Sequence, residues 1–239
     1  MRQPTRLLFS GLALWVVAVL VRAEAPPTHL GTATRLVAGL ELSSTSYAHG
    51  QGSVTFDGKV ASHTDCSGLI DHLFAHDYGY DAEVYKRWLG SRRPTAARYH
   101  AAIVAGSGFR RIDTVEAIRP GDLLAIKYLV RTDNTGHIMI AAGAPQRIDS
   151  RPPIVDGTTQ YTVEVIDSSQ TGHGPTDTRY KGGAGGKDHD GLGRGVFRLY
   201  VGDGGKIAGF SWSTFKGSEF KTPDAEHLVV GRLEAGFRP

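Results

Sequence analysis

The chain has 239 residues, of which 21% are charged, with 27 Lys and Arg against 24 Asp and Glu. Without Arg2, Arg6, Arg22 and Glu24 these counts fall to 24 and 23, and no basic run is interleaved with aromatics, so composition points away from a nucleic-acid partner. A single cysteine, Cys66, excludes an internal disulfide.

Residues 1–25 read as a secretory signal peptide. Arg2 and Arg6 form a basic start, Leu7 to Val21 is apolar, and Ala23-Glu24-Ala25 is a small-x-small cleavage site ahead of Pro26-Pro27. An uncleaved anchor needs roughly 20 apolar residues, more than this run supplies. Residues 26–239 are therefore expected to be exported to a periplasmic or extracellular space as one domain, with no integral membrane segment after cleavage. In an oxidising compartment a lone thiol is either buried and inert or kept free for chemistry.

Thr32 to Leu42 has helical spacing, and the turn-rich stretch Tyr47-Ala48-His49-Gly50-Gln51-Gly52 follows it. Val54 to Val60 predicts a small hairpin about Asp57-Gly58. Next comes Thr64-Asp65-Cys66-Ser67-Gly68-Leu69-Ile70, where Leu69, Ile70, Leu73 and Phe74 mark one buried helix face running to about Asp77. Asp65 suits the N-cap and places Cys66 in the first turn, where unpaired N–H groups and the dipole favour a thiolate. Two further helices are expected, at Ala82–Leu89 and at Pro94–Ala105 with Pro94 in the first turn. After the turn Ile118-Arg119-Pro120-Gly121 the pattern changes to strands: Asp122–Tyr128, Gly136–Ala141, Tyr161–Asp167, a hairpin of Val196–Val201 with Lys206–Trp212, and Leu228–Arg232. Helices first and hairpin-connected strands after them predict an α+β fold, N-terminal helices packed on an antiparallel sheet.

Cysteine catalysis needs a base and a group that orients the base. His137 opens one strand and Asp167 closes the next, so the two can meet across antiparallel neighbours. The glycine-rich stretch from Gln170 to Gly195 reads as a long loop. Its His173, Asp177, Asp188, His189 and Asp190 lack any metal-ligand spacing such as HExxH and are expected to be solvated, so no metal and no cofactor are assigned.

Asp65-Cys66-Ser67-Gly68-Leu69-Ile70, Arg119-Pro120-Gly121-Asp122-Leu123-Leu124 and Gly136-His137-Ile138-Met139-Ile140 resemble the three signature blocks of the NlpC family, papain-like cysteine peptidases of bacterial cell walls. Thr32 to Tyr47, Arg93 to Tyr99 and Val165 to Ser169 extend the resemblance in the same order. It implies a papain-like domain, with Cys66 as nucleophile, His137 as base and Asp167 as the third residue, where the family usually carries His, Asn or Gln. Tyr47 resembles the tyrosine that lines the family's cleft, and Asp65 and Ser67 flank the thiol as substrate contacts. The implied substrate is a peptidoglycan peptide or another amide. The same residues are also compatible with an acyltransferase or esterase acting on lipid-type substrates, and with a non-catalytic secreted binding module.

Overall fold

The computed structural model describes residues 27–50, 52–131, 133–181 and 187–239; the expected signal peptide at 1–25 lies outside the described residues. Four helices come first: α1 (Thr28–Gly39), α2 (Cys66–Tyr78), α3 (Ala82–Leu89) and α4 (Ala96–Ala105). Helix α1 starts and ends earlier than its spacing predicts, because Pro27 leads directly into it and Leu40 is already extended. Helix α4 begins after Thr95, so Pro94 lies ahead of the cap rather than in the first turn. Helices α2, α3 and α4 each stop at a glycine in the left-handed conformation, Gly79, Gly90 and Gly106.

A small sheet separates α1 from α2. It consists of β1 (Thr45–Ser46), β2 (Ser53–Thr55) and β3 (Ala61–His63), with β3 between the other two. The large sheet is antiparallel throughout. Its strands are β4 (Phe109–Ile112), β5 (Leu123–Tyr128), β6 (Gly136–Ala141), β7 (Gln146–Arg147), β8 (Thr159–Ser169), β11 (Gly191–Val201), β12 (Ile207–Ser211), β13 (Phe220–Lys221) and β14 (Glu226–Leu233). Between β8 and β11 lies a two-stranded pair, β9 (Tyr180–Lys181) and β10 (Lys187–Asp188). The molecule is thus α+β, with helices on a large antiparallel sheet and one parallel pair, β1 with β3, in the small sheet.

The large sheet runs β13-β12-β11-β8-β6-β5-β14-β4, with β7 also on β8. A bridge between Thr114 and Lys206 joins the end of β4 to the start of β12, so the sheet curls back on itself. Its outer face carries Leu123, Ala125, Ile138, Ile140 and Ile166 against the helices, where Leu69, Leu73, Phe74 and Tyr99 meet them. Its inner face encloses a second core with Leu124, Met139, Val165, Phe197 and Phe210. The alternation of β6 sets this division: Ile138 and Ile140 face the helices, while His137 shares a face with Met139 and Ala141.

The largest departure from the sequence reading concerns β11. It begins at Gly191, five residues before the expected Val196, and Gly191 to Gly195 pair with Ser169 to Val165. Glycine is depleted in strands and so reads as loop.

Candidate active site

The site forms where the start of α2 meets the open ends of β6 and β8. Asp65 sits at the N-cap as expected; its Oδ1 accepts from the Gly68 N–H at 2.7 Å and from Ser67 Oγ at 3.2 Å. Its other oxygen lies 3.3 Å from His49 Nδ1. Cys66 is the first residue of the helix and is buried. Ser168 fixes the helix start to the sheet by donating to the Thr64 carbonyl at 2.6 Å.

Strands β6 and β8 pair at Ile140–Ile166 and Ala141–Val165. Continuing that register puts His137 diagonal to Asp167 on the same face, within reach of a ring. His137 Nε2 lies 2.6 Å from Asp167 Oδ2. The ring also lies beside Cys66, whose influence raises its pKa, and with Nε2 engaged, Nδ1 is the nitrogen left for the thiol. Trp212 packs edge-on against the ring at a centroid distance of 4.8 Å.

Both partners are closed off from water: His137 is 5% exposed and Asp167 0%. Burial opposes charge on His137, but the Cys66 thiolate and the bond to Asp167 outweigh it and raise the imidazolium to about 9. Burial opposes charge on Asp167 as well; the His173 and Arg179 cations and the hydrogen bonds from His137 and His173 overcome it and hold the carboxyl well below its usual range.

Tyr47 is half-buried beside this pair, and its hydroxyl proton is held more firmly by burial and by the negative charges of Cys66 and Asp65. Tyr128, at the end of β5, is raised to about 12 by burial and by Glu226 and Cys66. It is a neighbour of the thiol that the sequence reading passed over. The Arg119–Leu124 block lies at the far end of β5 from His137: Asp122, 1% exposed, accepts from the Arg119 N–H at 2.8 Å and pairs with Arg232 at 2.7 Å.

The residues after β8 depart most from expectation. His173 and Asp177, expected to be solvated, are 0% and 3% exposed, and Arg179 is 0% exposed. The reason is the Asp167 carboxylate, which draws His173 and Arg179 inward, while Arg179 in turn holds Asp177. His173 Nε2 lies 2.9 Å from Asp167 Oδ2, the oxygen that His137 also uses. Arg179 donates to Asp167 Oδ1 at 2.9 Å and to both oxygens of Asp177 at 2.8 Å, and it also bonds Ser169 Oγ. Gly193 and Gly195 let β11 pass over this cluster, since a Cβ at either would collide with Arg179 or Asp177. His189 and Asp190 remain half-buried and exposed, respectively.

His137, Asp167 and His173 form a group whose ligand atoms lie within 4.8 Å of one another. The spacing is that of hydrogen bonds. Two ligands on a tetrahedral ion with bonds of about 2.0–2.1 Å stand roughly 3.3 Å apart, whereas these nitrogen–oxygen pairs are at 2.6 and 2.9 Å.

Among the described residues, no helix is long and apolar enough to cross a membrane. Comparison with protein families matches the NlpC/P60 family over residues 45–164, a span that contains Cys66 and His137 and stops just short of Asp167. An uncharacterized protein of Acanthamoeba polyphaga mimivirus is 34% identical over 203 residues, covering 80% of this chain and 88% of the relative. No solved structure matches.

Proposed function

Since the chain belongs to the NlpC/P60 family, we propose that it is an exported, papain-like cysteine hydrolase that cleaves an amide bond in a peptidoglycan stem peptide. The observation that carries this reading is one buried imidazole, His137, held between the only thiol and a carboxylate. The thiolate attacks the carbonyl carbon of the amide. The oxyanion that forms is met by the Cys66 backbone N–H, one of the unpaired donors of the first turn of α2. His137 gives its proton to the departing amine, leaving a thioacyl enzyme. Water, activated by the now neutral ring, releases the acid and restores the ion pair. Asp167 orients the imidazole throughout, and Tyr47, Asp65 and Ser67 line the approach to the thiol.

Purified muropeptides incubated with the full chain and read by mass spectrometry test the substrate class. Products shortened within the stem peptide are expected; intact stem peptides would exclude it. EDTA should leave that rate unchanged, because the His137–Asp167–His173 group is spaced for hydrogen bonds; loss restored by zinc would reassign the group as ligands. Export is tested on protein recovered from its native host, whose N-terminus should lie at or near Pro26; an intact Met1 would contradict it.

A further inference from the structure

His173 is bound on both ring nitrogens. Nδ1 lies 2.8 Å from the carbonyl oxygen of Trp212, and Nε2 lies 2.9 Å from Asp167 Oδ2. A carbonyl accepts only, and so does an ionised carboxylate, so both nitrogens must donate. Only the doubly protonated, cationic ring does that. The ring is fully buried and packs on Trp212 at 4.2 Å and on Phe197 at 5.8 Å.

The charges behind His137 then balance. Asp167 and Asp177 are negative; Arg179 and His173 are positive; Asp167 binds the His173 ring and Arg179, and Asp177 binds Arg179 and the His173 backbone N–H. On its other side His137 faces Cys66 from α2, with Tyr47 and Asp65 beyond the thiol, and just past the end of β12 it meets the uncharged Trp212.

We propose that His173 is a positioning residue that acts as a fixed counter-charge: it cancels the carboxylate charge of Asp167 and holds Oδ2 in place, so that His137 meets an acceptor that is locally neutral. An aspartate can then stand where the resembled family usually has an uncharged or imidazole side chain. Unbalanced, the carboxylate would grip the His137 proton too firmly for transfer to the leaving amine. The inference rests on the reading of Cys66 and His137 as nucleophile and base.

The test uses iodoacetate on the full-length chain, with alkylation of Cys66 followed by mass spectrometry from pH 4 to pH 11. The anionic reagent is drawn to the imidazolium, so its rate rises as the thiolate forms and falls as His137 deprotonates. In the wild type the alkaline fall is expected near pH 9. Asp167→Asn leaves His173 uncompensated, and the fall should move to lower pH by about one unit. His173→Gln keeps a side-chain N–H but removes the charge, and the fall should move to higher pH by about one unit. The double variant is neutral again and should return close to the wild type, a coupling that independent effects would not give. If His173 only packs, the double variant stays where Asp167→Asn lies and His173→Gln does not move; either result overturns the inference. A wild type with no alkaline fall overturns the underlying nucleophile-and-base reading instead. A measurement without variants guards against misfolding: nitrogen NMR of the wild type at neutral pH should show protons on both ring nitrogens of His173, and a neutral tautomer would overturn the inference.

Discussion

Arg179, packed beside the start of β11, and Arg198, within β11, are both fully buried and are held in different ways. Arg179, beside the β11 start, meets two carboxylates, a serine hydroxyl and the Gly191 carbonyl. Burial opposes its charge, but Asp167 and Asp177 outweigh that and hold the proton more tightly than usual. Arg198, toward the β11 end, is given carbonyl acceptors by its hydrogen bonds: Ser213, Phe215, Pro152 and, more distantly, Arg151. There burial prevails and lowers it from its usual value. The first region spends its buried polarity on a charge pattern around a reactive imidazole. The second ties two loops together with carbonyl dipoles, beside the Tyr200 ring. A buried cation is therefore chemical machinery only where its partners can set the charge felt by the reacting group. The regions touch at residues 212–215, where the Trp212 carbonyl binds His173 and the next carbonyl binds Arg198.

The comparison is broken most severely by removing the reacting group itself. Cys66→Ala should lower muropeptide cleavage by several orders of magnitude, because no other nucleophile is at hand. Its thermal midpoint should stay near that of the wild type. Asp167→Ala follows. It strips His137, His173 and Arg179 of a shared acceptor and should cost about 3–5 kcal/mol of stability, read by urea unfolding, together with a large loss of rate. Asp167→Asn keeps an acceptor oxygen and should retain more activity than Asp167→Ala; equal activities would show that the carboxylate position does not orient the ring.

Arg198→Met separates the two regions. It leaves buried carbonyls without their donor and should cost about 1–3 kcal/mol, yet the alkaline fall of iodoacetate alkylation should stay where it is. A shift as large as that of Asp167→Asn would show that the two regions are one.

The smallest effect concerns a third ionisable group, half-buried on α2. Asp71 accepts from the Tyr99 hydroxyl at 2.7 Å, and burial raises it to about 8. The unfolded chain gives up this proton near pH 4, while the folded chain keeps it until about 8. Folding stability therefore falls as pH rises between those values. Asp71→Asn keeps the acceptor and removes the liability, so its melting midpoint should exceed that of the wild type at pH 9, with the gap closing toward pH 4. Equal midpoints at pH 9 would mean that Asp71 ionises without cost.

Much of the site was legible in residue types and spacing. An aspartate ahead of Cys66 and an apolar face behind it are enough to cap and bury α2. The alternation after Gly136 is enough to put His137 on the face opposite the helices. What the sequence obscured was the cluster that supports Asp167. Its residues are polar and sit among glycines, a composition that ordinarily means a solvated loop. A signal was nonetheless present: Gly191, Gly193 and Gly195 alternate with Leu192 and Arg194. Glycine at every second position marks a strand with one face emptied for something beneath it, here Arg179 and Asp177. Strand β4 was missed for another reason. Arg110 and Arg111 are exposed at its centre, and only Phe109 and Ile112 are buried, which is too short a pattern to read.

The most direct test of the account is the rate at which uncharged iodoacetamide alkylates Cys66 at pH 6, measured beside a free thiol and beside His137→Ala. At that pH a free thiol is almost entirely protonated. A thiolate paired with the His137 imidazolium should react at least about tenfold faster than the free thiol, and His137→Ala should lose that advantage. A wild-type Cys66 no faster than the free thiol, or one equally fast without His137, would contradict the thiolate–imidazolium pair on which the account stands.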